Sequence, residues 1–321
     1  MDTSLRPATK TPVRSLLAFA GVFLVLYVFA VVIAERSVGR AGTETAFQKL
    51  LAARGARVDW LVLGASHALP LDYGDVPARL QQDTGQSMMV LAETGAGPLY
   101  NRFVLEQALL DLDVKHLVYV IDSFAFGDEE WNQARISDRA LLRQTPLRLS
   151  TARILADLSF RYEAGLKGLL DYLTGFSKLN PVNRFPQEGW RGAANFDRRF
   201  RPSRHAVAAR ISYLYPEGAL RADIVEYYLD TLDRLFDLAI AEGVKVMVIK
   251  LPVPNAFLDA LPDEAGFDAS LRARLNSRGI PLHDLSQVLR DPALYFDTDH
   301  LNRDGVETLY RDHLRDLIAP E

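Results

Sequence analysis

A serine early in the chain, and an aspartate and a histidine near its end, are the residues whose types and spacing could perform a reaction. Ser66 follows the mostly apolar run 58–63, and Asp297 and His300 lie three residues apart. A serine hydroxyl becomes a nucleophile when a base takes its proton. An imidazole is such a base near neutral pH, and a carboxylate on its other nitrogen orients it. The pattern predicts acyl chemistry through an acyl-serine intermediate.

Each of these segments also has a structural interpretation. Turns that end strands favour glycine and serine, so Gly64 and Ser66 could form an ordinary turn. The later segment could cap a helix, or Asp297, Asp299 and His300 could bind a metal ion. Asp299 could also replace Asp297 as the group that orients the histidine. The catalytic interpretation is favoured because an open α/β sheet carries its chemistry where its strands end.

The rest of the chain predicts such a sheet. Short apolar runs alternate with segments of helical spacing, and the predicted strands are 58–63, 87–91, 116–121, 244–249 and 280–284. Strands that alternate with helices imply right-handed crossovers and a parallel sheet covered on both faces. We therefore predict an α/β fold, a flavodoxin-like α/β/α sandwich with a five-stranded parallel sheet. The less regular stretch 124–216 is predicted to be an insertion above the sheet.

The composition narrows the function further. The chain has 321 residues, a net charge of −4 and no cysteine. Disulfides and thiolate chemistry are therefore excluded, and no basic excess suggests a nucleic-acid partner. The length suits one large α/β domain with insertions or two small domains.

An apolar segment near the N-terminus predicts a membrane anchor. Residues 16–34 form an uninterrupted apolar run, close to the ~20 residues that cross a bilayer as a helix. Arg6, Lys10 and Arg14 precede it and favour a cytoplasmic N-terminus. A cleaved signal peptide is the alternative, but its apolar core is shorter and ends in a small-x-small site. The predicted order is a cytoplasmic tail, an inner-membrane helix, a juxtamembrane segment and a periplasmic domain, at residues 1–15, 16–34, 35–56 and 57–321.

The segments Gly64–His67 and Asp297–Asn302 resemble the first and last blocks of the SGNH/GDSL hydrolase superfamily. The resemblance implies an SGNH-type domain in which Ser66 is the nucleophile, His300 is the base and Asp297 orients the base. It implies no cofactor and no metal.

The predicted oxyanion hole uses the N–H of Ser66, together with Gly95 or Gly97, which lie where the family's second block supplies a glycine. The third block departs from the family, because Asp122-Ser123 stands where an asparagine is expected. The layout is similar to a membrane-anchored branch that includes the alginate O-acetyltransferases and the D-alanyl transfer protein of teichoic acid modification. This likeness implies transfer or hydrolysis of acyl groups, acetyl above all, on an envelope polysaccharide. It also implies a partner of the membrane-bound O-acyltransferase type.

Five residues are predicted to bind substrate: His67, Asp122, Asn255, Trp190 and Arg198. Trp190 and Arg198 belong to a stretch rich in aromatic residues and arginines, which could stack on sugars and bind anionic groups. In the alternative, the aromatic rings pack on the sheet and the arginines are solvated. A further alternative is that the protein is a non-catalytic accessory subunit of a polysaccharide-modifying complex, which the missing asparagine favours.

Overall fold

The sheet is built as the sequence predicts. The computed structural model describes residues 13–162, 164–186 and 189–319, so most of the predicted cytoplasmic tail lies outside it. The strands are Arg57–Leu63 (β1), Met88–Val90 (β2), Asp113–Val120 (β3), Lys245–Lys250 (β4) and Leu282–Asp284 (β5). All neighbouring pairs are parallel, in the order β2-β1-β3-β4-β5. This is the flavodoxin-like order, and the predicted fold class is confirmed.

Helices connect these strands and cover both faces of the sheet. In chain order they are Val13–Ala34 (α1), Ala46–Ala52 (α2), Leu69–Tyr73 (α3), Val76–Thr84 (α4), Pro98–Asp111 (α5), Arg139–Gln144 (α6), Leu149–Arg161 (α7), Leu166–Thr174 (α8), Gly192–Asn195 (α9), Arg204–Leu214 (α10), Ala222–Ala241 (α11), Asn255–Leu258 (α12), Glu264–Arg278 (α13), Arg303–Leu309 (α14) and Arg315–Ile318 (α15).

Two apolar cores lie on opposite faces of the sheet. Along β1, Leu61 and Leu63 pack into the core formed with α5, α11 and α13. Trp60 and Val62 pack into the core formed with α3, α4 and α14. Successive side chains of a strand point to opposite faces, and both faces of this strand are covered. That is why the strand has an apolar run instead of an alternating pattern.

The region between β3 and α11 has two parts with different neighbours. Helices α6, α7 and α8 pack together beside α5 and the end of α1. The later part, from Trp190 to α10, brings Trp190 and Arg210 to the cavity beside Ser66 and His300.

The N-terminal helix is the element within the described residues that is long and apolar enough to cross a membrane. Its α-helical part continues as a π-helical turn, Glu35–Gly39. Glu35 fastens this turn to the domain: its Oε2 lies 3.1 Å from the Lys178 ammonium, and its Oε1 accepts a 3.0 Å hydrogen bond from the Leu147 N–H. The helix is therefore held against the domain by a buried ion pair.

Candidate active site

Ser66 is positioned by a close approach of β1 to β3. A Cβ at Gly64 would lie 2.9 Å from the Val120 carbonyl oxygen, at a φ of 155°. Glycine is therefore required there, and the backbone turns so that Ser66 begins the 3₁₀ turn Ser66–Ala68. The Gly64 N–H donates to Asn101 Oδ1 at 3.2 Å. Ser66 is buried at the end of the strand.

Ser66, His300 and Asp297 form one chain of hydrogen bonds. The His300 Nε2 lies 2.9 Å from the Ser66 hydroxyl oxygen, and its Nδ1 lies 2.9 and 3.0 Å from the two oxygens of Asp297. When Nδ1–H donates to the carboxylate, Nε2 can accept the hydroxyl proton. Asp297 also accepts hydrogen bonds from the backbone N–H groups of Asp299 and His300. These bonds fix the carboxylate on the same turn as the imidazole.

The charge state of Asp297 suits this role. Burial raises the pKa of the Asp297 carboxyl, but the adjacent His300 ring and the hydrogen bonds it accepts outweigh burial and lower it. The Trp190 Nε1–H donates to Asp297 Oδ2 at 3.2 Å, and its ring lies 4.6 Å from that of His300. Asp297 is therefore ionised at neutral pH.

A second histidine lies directly behind the first. The Nδ1 of His67 is 2.6 Å from Asp122 Oδ1, and its Nε2 is 3.2 Å from Asp299 Oδ2. Burial lowers the pKa of His67, but the two carboxylates more than offset this and raise it to about 10. Arg210 donates to the same Asp299 oxygen at 3.0 and 2.8 Å. Burial raises the pKa of Asp299, yet the adjacent His300 ring, the Arg210 guanidinium and the hydrogen bond to His67 hold it well below its usual value.

Ser66 and His300 face a cavity of about 450 Å³. Its lining combines them with aromatic, charged and small residues: Thr94, Gly95, Glu130, Trp131, Arg135, Gly189, Trp190, Arg210 and Tyr213. Larger apolar depressions exist elsewhere, but they contain neither Ser66 nor His300. A cavity of this volume lies in the range of pockets that bind small molecules.

The backbone N–H groups of Ser66 and Gly95 are the ones available to an oxyanion. Within the described residues neither donates to another protein group, and both residues line the cavity. Gly97 differs, because its N–H donates to the Trp131 carbonyl at 2.7 Å. A Cβ at Gly97 would also lie 2.4 Å from the Asn132 amide. The prediction of Gly97 as an oxyanion donor is therefore corrected, since packing and not catalysis requires a glycine there.

The five predicted substrate-binding residues lie in different parts of the structure, and only Trp190 among them lines this cavity. Trp190 lines the cavity, whereas the side chains of His67 and Asp122 are buried against each other. Asn255 is exposed at the start of α12, and Arg198 is exposed as well. Neither of these two lines the cavity. Direct substrate contact is therefore corrected for His67 and Asp122, whose side chains are buried, and stays a prediction for Asn255 and Arg198.

Arg210 and Tyr213 were missed by sequence reasoning. They lie three residues apart on α10, so they share one face of that helix. That spacing predicts the shared face but not what it contacts. Arg135 was also missed. It lines the cavity, and its guanidinium lies 3.4 Å from the Glu93 carboxylate.

A metal fits this site poorly. Ligand atoms of His67, Asp299 and His300 lie within 4.8 Å of one another. A metal ligand must be a neutral imidazole, but the two carboxylates raise the pKa of His67 to about 10. Asp299 is already bound by Arg210, and His300 by Ser66 and Asp297. The acceptors of the cluster are satisfied by protein donors.

No family model and no curated protein matches the chain. Solved structures do match, among them the crystal structure of a putative acylhydrolase from Bacteroides fragilis NCTC 9343. It is 11% identical, covers 85% of this chain and 93% of its own, and has a TM-score of 0.43. A likeness of this size carries no argument about activity.

Proposed function

We propose that the protein is an SGNH-type serine O-acyltransferase or esterase that forms an acyl-serine on Ser66. The observation that carries this proposal is the continuous hydrogen-bond chain from Ser66 through His300 to Asp297, with the first two residues facing a cavity. A buried serine bonded to an imidazole whose other nitrogen meets a carboxylate is the arrangement that nucleophilic acyl transfer requires.

The reaction follows from this geometry in two steps. Ser66 Oγ attacks the carbonyl carbon of an ester while its proton passes to His300 Nε2, and Asp297 stabilises the imidazolium. The N–H groups of Ser66 and Gly95 stabilise the oxyanion. The C–O bond to the leaving alcohol then breaks, and the alcohol takes the proton from His300. In the second step an acceptor hydroxyl, from a glycan or from water, gives its proton to His300 and attacks the carbonyl carbon of the acyl-serine. The bond between Ser66 Oγ and the acyl carbon then breaks, and Ser66 Oγ takes the proton back from His300.

The lining of the cavity supports a carbohydrate substrate. Trp131, Trp190 and Tyr213 present aromatic rings beside the nucleophile, and such rings combine a large apolar face with a polar edge. Glu130 and Arg210 add hydrogen-bonding groups. We propose O-acetyl groups of an envelope or secreted polysaccharide as the substrate.

The N-terminal helix supports a location at the cytoplasmic membrane. A helix of this length and composition is able to cross a bilayer, and we propose that the domain faces the periplasm. A partner of the membrane-bound O-acyltransferase type would then supply acyl groups from the other side of the membrane.

The test is covalent labelling of the full-length chain in detergent with a fluorophosphonate probe. We expect the wild type to be labelled and Ser66→Ala not to be. We also expect hydrolysis of a chromogenic acetyl ester to fall by about 10³-fold or more. Ser212→Ala is the matched control, because Ser212 is exposed on α10 and lies outside this cavity. A folded wild type that takes no label would overturn the proposal and favour the accessory subunit.

A further inference from the structure

Helix α8 carries apolar side chains on its exposed face as well as on its packed face. Leu166, Leu170 and Leu173, at helical spacing, are 49%, 58% and 59% exposed. The buried face carries Leu169 and Tyr172, which pack into the core, and Asp171, which accepts a 2.5 Å hydrogen bond from Ser177. A surface helix of a water-soluble domain turns polar side chains outward. This helix instead presents three leucines to whatever surrounds the domain.

The end of α8 contacts the anchor helix well inside its apolar run. The Tyr27 hydroxyl donates to the Thr174 carbonyl oxygen at 2.9 Å. At Gly175, a Cβ would lie 2.9 Å from Val31, so the two backbones approach closely there. Tyr27 precedes the end of α1 at Ala34 by seven residues, which is ~10 Å along a helix. A bilayer core is ~30 Å thick, so a chain segment at this level lies below the membrane surface.

The joint between anchor and domain is not a flexible tether. Lys178, four residues after Thr174, is buried and lies 3.1 Å from Glu35 at the end of the anchor. Lys178 also donates to the Thr145 carbonyl oxygen at 2.6 Å. Because these bonds fix α1 against the domain, the depth of the anchor also sets the depth of α8.

The neighbouring helix extends the same surface. Tyr172 of α8 donates to the Pro146 carbonyl oxygen and accepts from the Arg148 N–H, so the start of α7 lies beside the end of α8. Leu149 follows immediately and is 69% exposed. A further exposed apolar side chain therefore lies at the start of α7, close to the end of α8.

We infer that the C-terminal half of α8 lies in the outer leaflet of the membrane, with Leu170 and Leu173 in contact with lipid hydrocarbon. The occupant of this face is the bilayer, because the face is continuous with the surface of α1 that crosses it. The domain is thus held at a fixed height and orientation above the membrane. The inference rests on the membrane anchor of the proposed function.

The chain offers a direct test, because it has no cysteine and each introduced thiol is unique. Full-length Leu170→Cys and Leu173→Cys are labelled with bimane and reconstituted into phosphatidylcholine–phosphatidylglycerol vesicles with or without a lipid-borne spin-label quencher. Val25→Cys, at a position 68% exposed on the anchor, reports insertion of α1. Val288→Cys, 37% exposed next to a residue of the opposite core, is the matched control outside the membrane.

We expect quenching at positions 25, 170 and 173 and little at 288. Quenching at 25 with positions 170 and 173 as unquenched as 288 would overturn the inference and leave the anchor intact. No quenching at 25 would overturn both the anchor and the inference, and the two failures are therefore distinguishable. Thermal unfolding of each variant followed by circular dichroism confirms that the substitutions at these exposed positions leave the fold unchanged.

Discussion

His67 and His300 are two buried histidines whose rings lie 4.7 Å apart, nearly perpendicular to each other. His300 is hydrogen-bonded through Nδ1 to one carboxylate, that of Asp297, and through Nε2 to a hydroxyl, and Asp299 Oδ1 lies farther from Nδ1, at 3.6 Å. His67 meets a carboxylate at each nitrogen, Asp122 on one side and Asp299 on the other. His300 lines the cavity, and His67 does not.

The difference bears on the roles that we propose for the two rings, His300 as a base and His67 as a fixed cation. A neutral imidazole donates one hydrogen bond and accepts another, whereas an ionised carboxylate only accepts. Two carboxylates therefore require both nitrogens of His67 to carry protons. His300 can keep Nε2 unprotonated and take the proton of Ser66. The two histidines thus differ because Nε2 of His67 meets a carboxylate, whereas Nε2 of His300 meets a hydroxyl.

The strongest test of this comparison is to neutralise, one at a time, the carboxylates of Asp297 and Asp299. Asp297→Asn removes the acceptor that sets the tautomer of His300, and we expect turnover of an acetyl ester to fall by ~10⁴-fold. Asp299→Asn is the matched variant two residues away. We expect it to lose less turnover and more stability, because it leaves His67 and Arg210 without their shared carboxylate. Equal or greater loss of turnover in Asp299→Asn would make Asp299 the orienting group.

The next effect is on stability. His67→Gln removes the positive charge between Asp122 and Asp299, and breaking a buried ion pair on one side costs about 3 kcal/mol or more. We expect that loss in the free energy of unfolding by urea at pH 7. Val288→Ala serves as a surface control, with a change within about 0.5 kcal/mol. A His67→Gln variant as stable as the wild type would show that His67 is not a structural cation.

The same histidine predicts a pH dependence. The folded-state pKa of His67 is raised from 6.5 to about 10. Its stabilisation is therefore complete below the unfolded value and is lost as the pH rises through the folded value. We expect the free energy of unfolding of the wild type to fall between pH 7 and pH 10, and that of His67→Gln to fall less. Parallel curves for the two proteins would contradict the assignment.

The lowered pKa values of Asp297 and Asp299 affect stability at acidic pH. A carboxyl whose folded pKa is depressed stabilises the fold above its unfolded value, and this contribution is lost as the pH falls through the folded one. We expect the wild type to lose more stability below pH 4 than Asp299→Asn does, as measured by the same urea titrations.

The smallest effect is expected at Trp190. Trp190→Phe removes the hydrogen bond to Asp297 and keeps an aromatic ring in the cavity. One such bond contributes ~1 kcal/mol, which corresponds to roughly a fivefold loss of turnover. Loss as large as that of Asp297→Asn would mean that the ring itself, through substrate or His300, contributes more than the bond.

The sequence predicted the sheet well because β1, β3 and β4 each contain an apolar run that is short enough to be a buried strand. The boundaries were less accurate: β3 begins at Asp113, three residues before the predicted start. Its first residues are polar or half-exposed, so hydropathy alone does not mark them. The arrangement of the stretch 124–216 was not predicted from the sequence, because contacts with distant elements position helices α6 to α10.

The sequence by itself determined the order of the elements and the pair Asp297 and His300, because residues three apart on one turn can reach each other without help from the rest of the chain. Tertiary structure decided that His300 meets Ser66, 234 positions away. It also decided that, within the described residues, the N–H of Gly97 and not that of Gly95 has a protein acceptor, and that His67, next to Ser66 in sequence, has a carboxylate on either side. Residues distant along the chain become neighbours only when the sheet and its helices pack, and the spacing of residues in the sequence does not predict those contacts.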